Sequence, residues 1–299
     1  MKPEALPERR GTATGSGIVT YRSAEVELIA DRWPPVGRRR GLVLLLHGAG
    51  QTRHSWADTA RALSTDGWDV VSLDARGHGD SSWASDGTYT LDAFVGDLLA
   101  VLSGLAEPPV LVGASLGGLT ALVAEGERGP LARALVLVDV VPRLEVEGVE
   151  RIRDFMQSTS GGFDSLASAA EAVRAYNPSR QRPVRSANGL VKNLRQGADG
   201  RFQWHWDPAL LDLISLESSG AVQRRCEAAA ARITTPTLLL RGAQSDIVSD
   251  AGVAELRTLI RGAETSDVQG TGHMVAGDDN AAFTSRVLDF LASLSTTDR

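Results

Sequence analysis

The stretch VLVGASLGG, residues 110–118, decides how the rest of the chain is read. A short apolar run leads into a turn in which Gly113 and Gly117 stand two positions either side of Ser115, and a helical pattern, LTALVAEG, follows. A strand-to-helix turn this tight forces its central residue into a strained backbone conformation. Side chains at the two flanking positions collide, so both must be small. The Ser115 hydroxyl then projects from the bend. The Leu116 N–H opens the helix, where an unpaired donor and the helix dipole stabilise developing negative charge. A turn serving only packing or phosphate contact is the plainer reading. A dinucleotide fingerprint fits less well, because the glycines run G-x-x-x-G-G rather than G-x-G-x-x-G.

Outward from this turn the chain alternates short apolar runs with helical patterns. The runs are 42–46, 69–73, 110–112, 134–138, 237–241 and 264–268, and the helices between them span roughly 55–66, 91–105, 116–128, 250–260 and 280–294. Apolar runs with little alternation, separated by helices, predict strands of a parallel sheet buried on both faces. Residues 18–33 alternate enough to predict an antiparallel hairpin ahead of it. Residues 142–230 break the rhythm, with helical patterns at 145–158, 163–176, 186–196 and 208–216 and an aromatic stretch, RFQWHWD, at 201–207 that suits an extended segment. The expected organisation is a core of 1–141 and 231–299 carrying a helical cap, 142–230, inserted after the sixth strand. Such a cap sits over the carboxyl ends of the strands, where open parallel sheets bind ligands.

A serine needs an adjacent base to become a nucleophile. With an elbow of this type the chain order is nucleophile, acid, histidine. Of the five histidines, His47, His54 and His78 precede Ser115, which leaves His205 and His273. His273 follows the last predicted strand in GTGHM, at the sheet edge that also carries the elbow, and is the expected base; His205, between Trp204 and Trp206, is expected in the cap or pocket wall. The expected acid is Asp246 in GAQSD, after the run TLLLRG; Asp139, after ALVLV, is the alternative at the same edge. The second oxyanion donor is expected from the turn after LVLLL, where Ala49 N–H pairs with Leu116 N–H and His47 is structural. The motif DARGHGDS at 74–81 combines charge, glycine and histidine, and reads as a structural turn near the pocket rim. Trp204, Trp206, Trp56, Trp83 and Phe163 are candidates for an apolar pocket wall.

These blocks, HGAG at 47–50, DARGHGDS at 74–81, GASLGG at 113–118, GAQSD at 242–246 and GTGHM at 270–274, resemble the α/β-hydrolase superfamily in its own order and over nearly the whole chain. Within it the chain is similar to the capped bacterial group that includes esterases, cofactor-free haloperoxidases, carbon–carbon bond hydrolases and enzymes called epoxide hydrolases. The resemblance implies an ester- or lactone-cleaving serine hydrolase working through an acyl-enzyme. Epoxide hydrolases of this fold carry Asp at the elbow, and Ser115 suits attack on a carbonyl instead. Some lactonases resemble this chain in having a carboxylate at the earlier position, that of Asp139. Two other outcomes stay open: perhydrolysis, with peroxide accepting the acyl group, and a slow-turnover ligand receptor on the same fold.

Bulk properties narrow the field. The 299 residues carry 31 basic and 37 acidic side chains, a net charge of −6, which argues against nucleic acid as a partner. Cys226 is the single cysteine, so no intrachain disulfide forms and a reducing compartment is expected. The first residues, MKPEALPERRGTATGSG, lack the apolar core of a signal peptide, and no stretch approaches the length of a membrane span. The expectation is a cytoplasmic enzyme with no cofactor and no metal, acting on a moderately apolar small-molecule carbonyl substrate, with no membrane partner; nothing in the pattern sets an oligomeric state.

Overall fold

A computed structural model describes residues 17–24, 26–176, 190–217, 220–273 and 280–297. The hairpin is β1 (Gly17–Ser23) with β2 (Val26–Trp33), antiparallel, and β2 pairs antiparallel with β4 (Trp68–Leu73). The remaining strands, β3 (Gly41–Leu46), β5 (Val110–Ala114), β6 (Ala134–Val138), β9 (Thr237–Gly242) and β10 (Glu264–Val268), continue the sheet in parallel with β4. Among the described residues this gives eight strands in the order β1-β2-β4-β3-β5-β6-β9-β10. The chain moves from β3 to β4 on one side and then to β5 on the other. The loops after β3 and β5 therefore leave the sheet side by side at a point where the winding reverses, the place where open α/β sheets bind ligands.

The apolar runs are continuous because both faces of the sheet are covered. Val43, Leu45, Val110, Val112, Val136, Leu238 and Leu240 face a layer that includes Trp56, Trp68, Phe283 and Phe290. Leu42, Leu44, Leu46, Leu111, Leu135, Leu137 and Leu239 face the other layer. The first layer brings α1 (Ala57–Thr65) against α9 (Asn280–Thr297); the second is built on α2 (Leu91–Ser103) and α3 (Leu116–Arg128), with α8 (Asp250–Leu259) contributing Leu256. Alternate residues point to opposite faces, so each strand supplies both cores. Among the described residues no helix is long and apolar enough to cross a membrane.

The interval between β6 and β9 holds α4 (Val146–Thr159), α5 (Leu166–Tyr176), α6 (Leu210–Glu217) and α7 (Gly220–Ala230). It also holds a short antiparallel hairpin, β7 (Leu194–Gln196) with β8 (Phe202–Trp204). Two expectations change here. The helical pattern at 186–196 lies partly outside the described residues, and its remainder is a 3-10 turn, Val191–Asn193, followed by β7. The insertion is therefore not all helical. The alanine-rich α7 packs along α3, with the Ala229 backbone against Gly126, and so stands with the core layer rather than over the strand ends. Cys226 is buried in that contact layer.

The main chain is tightly crowded at the elbow. A Cβ on Gly113 would stand 2.5 Å from Gly117 O, and one on Gly117 would stand 2.6 Å from Leu46 O and 2.7 Å from His47 O. These are backbone atoms of the first turn of α3 and of the end of β3 with the residue after it, so the conflict is relieved only by parting β3 from α3. Gly117→Val is accordingly expected to lower unfolding stability in urea by about 2 kcal/mol, the scale of overpacking in a close-packed interior; an unchanged midpoint would contradict this packing.

Candidate active site

Ser115 joins β5 to α3 with φ +46 and ψ −119, a conformation L residues rarely adopt. Its carbonyl accepts Leu119 N–H at 2.8 Å, so the serine is both the end of the strand and the cap of the helix. Leu116 is the first residue of α3, where an N–H has no acceptor within the helix. Ser115 N–H donates to Val138 O at 3.3 Å, which fixes the elbow beside the last residue of β6. The next residue is Asp139, itself at φ +49 with its N–H donating to Leu240 O at 2.7 Å.

Asp139 is the carboxylate that meets His273. The imidazole Nδ1 lies 2.9 Å from Asp139 Oδ2, with the carboxylate fully buried. Asp139 accepts two further hydrogen bonds, from Gly242 N–H at 2.9 Å on Oδ1 and from the Ser245 hydroxyl at 2.7 Å on Oδ2. Three donors converge on one carboxylate, which fixes its plane and makes it an acceptor for the ring N–H. The expectation that Asp246 would meet the histidine is corrected by this arrangement. The Asp246 side chain is 31% exposed and sits 3.4 Å from Arg151 of α4, while Gly148 of the same helix packs on its backbone. The useful residue of GAQSD is Ser245, one position earlier. The sequence reading missed it because a serine beside an aspartate carries no signal of which one faces inward.

The loop bearing His273 is held by β9. Gly242, at the end of that strand, has the Gly272 carbonyl pressed where a Cβ would stand. Gln244 N–H donates to Thr271 O at 2.9 Å, Ala243 N–H to Val268 O at 3.0 Å, and the Thr271 hydroxyl to Val268 O at 2.8 Å. This close seam brings residue 273 over the ends of β6 and β9.

On the other side of the elbow runs the loop 47–51. A Cβ on Gly48 would stand 3.1 Å from the Ser115 Cβ, so this loop abuts the serine. Two buried histidines, edge-to-face with centroids 4.9 Å apart, tie it to the turn at 74–81. His47 Nδ1–H donates to Gly48 O at 2.8 Å and its Nε2 accepts Ala75 N–H at 3.0 Å. His78 Nδ1–H donates to Arg76 O at 2.9 Å and its Nε2 accepts Gly50 N–H at 3.1 Å. These partners assign the same neutral tautomer to both rings. Burial lowers both pKa values, that of His78 to about 3, with the neighbouring His47 adding to the effect. The turn itself is knotted by Asp74, which is fully buried and accepts Arg53 N–H at 2.6 Å, the Arg53 guanidinium and Asp80 N–H at 3.0 Å. A side chain at Gly79 has no room, because that carboxylate fills the space.

The aromatic candidates separate. Trp206 is buried and its Nε1, with the Met156 thioether, borders Gly50 of the loop 47–51. Trp204 packs edge-on to Phe163 and Phe155 and donates to the Thr159 hydroxyl at 2.9 Å, inside the insertion. His205 is not paired with the serine; burial and the nearby Arg195 lower its pKa, Asp80 acts the other way, and its carbonyl accepts Gly79 N–H at 2.7 Å. Trp56 is a core residue stacked at a tilt on Phe283, and Trp83 lies at the surface, so neither is pocket wall. A small cavity lined by Leu46, His47, Leu116, Gly117 and Thr120 among others does not include Ser115, and its volume of about 30 Å³ suits a water, not a substrate.

Residues 41–279 match the family model of the α/β-hydrolase fold, and the chain belongs to that family. It is 31% identical over 263 residues to the esterase Rv0045c of Mycobacterium tuberculosis, covering 85% of this chain and 82% of that protein. It is 30% identical over 242 residues to the 3-hydroxybutyrate-oligomer hydrolase of Cupriavidus necator, covering 76% and 80% respectively. The crystal structure of E-2-(acetamidomethylene)succinate hydrolase superposes with a TM-score of 0.77 at 21% identity over 92% of this chain and 99% of that one, a likeness of fold.

The buried neutral histidines set a pH dependence. An unfolded His78 takes up a proton near its ordinary 6.5, whereas the folded one does so only near 3. Between these values the unfolded state binds more protons, so stability rises with pH, is complete above 6.5 and is lost as pH falls toward 3. The urea midpoint of the wild type is therefore expected to drop more steeply from pH 6.5 to pH 4 than that of His78→Gln; parallel curves would show that the ring titrates normally.

Proposed function

We propose that this chain is a carboxylic ester hydrolase in which Ser115 is the nucleophile, His273 the general base and Asp139 the triad acid. The hydrogen bond from His273 Nδ1 to a buried, triply held Asp139 at the mouth of the elbow carries this reading. With Nδ1–H committed to the carboxylate, Nε2 is the nitrogen that takes the Ser115 proton. The hydroxyl oxygen attacks the substrate carbonyl carbon, and the carbonyl oxygen becomes an anion held by Ala49 N–H and Leu116 N–H, each worth about 3–4 kcal/mol in such sites. The imidazolium formed is stabilised by Asp139 and gives its proton to the departing alcohol. Water then attacks the acyl-serine, with His273 again as base, and the acid is released.

The relatives named as esterase and 3-hydroxybutyrate-oligomer hydrolase, and a 29% identical mouse protein named sn-1-specific diacylglycerol lipase, support ester cleavage. Met156 and Trp206 beside the oxyanion loop, backed by Phe155 and Trp204, support an apolar substrate, ester or lactone. An apolar wall with few fixed polar groups selects by shape and hydrophobic area.

The test is a panel of p-nitrophenyl esters and lactones with three variants. Ser115→Ala is expected to abolish turnover. Asp139→Asn is expected to lower kcat by about 10⁴-fold, the scale of losing the orienting carboxylate. Asp246→Asn is expected to stay within about 3-fold of wild type, as for a partly exposed ion-pair partner. A larger loss for Asp246→Asn than for Asp139→Asn overturns the choice of acid.

A further inference from the structure

In the loop beside Ser115, all but one of the main-chain N–H groups from 48 to 51 are already committed. Gly48 N–H donates to the Gln51 side-chain oxygen at 3.2 Å, and Gln51 N–H donates to Gly48 O at 3.1 Å. Gly50 N–H donates to His78 Nε2 at 3.1 Å. Among the described residues, Ala49 N–H alone in this loop has no acceptor. An orphaned amide is costly when buried, so a turn that leaves one N–H unmet beside a nucleophile holds a donor ready for an incoming anion.

We propose that His78 is the positioning residue of the oxyanion hole: by accepting Gly50 N–H it locks the loop in the conformation that reserves Ala49 N–H for the substrate oxygen. This rests on the esterase reading of Ser115. The histidine is equipped for the task by its surroundings. Its own Nδ1–H is spent on Arg76 O, which turns Nε2, the lone-pair nitrogen, toward the loop. Gly77 and Gly79 either side leave room for the Tyr89 ring and the Asp74 carboxylate that clamp the turn. The His78 backbone bridges to Trp206, so the insertion holds the same turn. Gly50 itself sits at φ +75, a conformation that rotates readily in a glycine and needs a fixed partner to stay in place. Burial keeps the ring neutral across the working range, so the acceptor persists; a protonated ring would set two donors against each other.

The consequence is a defect in transition-state binding with ground-state binding intact. The full-length protein is assayed on p-nitrophenyl butyrate as wild type, Ser115→Ala, His78→Leu and His78→Gln. Leucine fills the space without an acceptor, while glutamine places an oxygen about where Nε2 lies. His78→Leu is expected to lose about 100-fold in kcat, the scale of one oxyanion donor, with KM within about 3-fold. Affinity for an alkyl trifluoromethyl ketone, which forms a tetrahedral oxyanion on the serine, is expected to fall by a similar factor of about 100. His78→Gln is expected to recover kcat to within about 5-fold of wild type. Equal losses in both variants, a change in KM alone, or a fully active His78→Leu beside a dead Ser115→Ala overturns the assignment of His78. A Ser115→Ala variant as active as wild type overturns the esterase reading itself, and this inference with it. Should His78→Leu fail to fold, nitrogen–nitrogen coupling across the hydrogen bond decides. The proposal expects it between Gly50 N and His78 Nε2 in the wild-type NMR spectrum, with His78→Gln still active; its absence overturns the proposal.

Discussion

The structure turns on a steric constraint where three backbones crowd together. β3, β5 and the first turn of α3 meet at distances that leave no room for a Cβ at Gly113 or Gly117. The chain can make this junction only by passing Ser115 through positive φ. That strain is stored locally and opposed by burial on both faces of the sheet, whose apolar side chains cannot leave their layers without exposing the core. The elbow is thus held by the whole sheet, and its rigidity carries to everything attached: the loop 47–51 on one side, the end of β6 on the other.

The pair Asp139 and His273 follows from the same geometry. Parallel strands deliver their carboxyl ends to one edge, so the residues just after β5, β6, β9 and β10 are neighbours whatever their separation along the chain. Asp139 is one residue past β6 and meets the loop after β10, with Gly242 and Ser245 of the β9 end supplying the remaining hydrogen bonds. Asp246 belongs to that β9 end too, but its side chain is spent on Arg151 of the insertion. Both strand ends bring a carboxylate to the same edge; what differs is which one the backbone turns toward the imidazole.

This shows what was legible in the residues and what was not. Buried parallel strands write long apolar runs, and the elbow writes its glycines, so the sheet, its order of elements and Ser115 could be read directly. That His273 stands at this edge could be read from the position of its loop. Which carboxylate meets His273 could not, because Asp139 and Asp246 share the same edge and only side-chain direction separates them. The insertion was least legible. Its hairpin strands are 3 residues each, too short to show a period, and the alanine-rich α7 reads the same whether it covers a core or a cap. The motif at 74–81 reads as a structural turn, but the reach of His78 to Gly50 depends on a contact across 28 residues that no local pattern records.

The central claim is that the strained serine at the elbow is a reactive nucleophile and not merely the cap of a helix. The most direct measurement is intact-mass spectrometry of the protein after exposure to a fluorophosphonate, followed by peptide mapping. The account predicts a single stoichiometric adduct on the peptide containing Ser115. No adduct, or one mapped to a different serine, would contradict it.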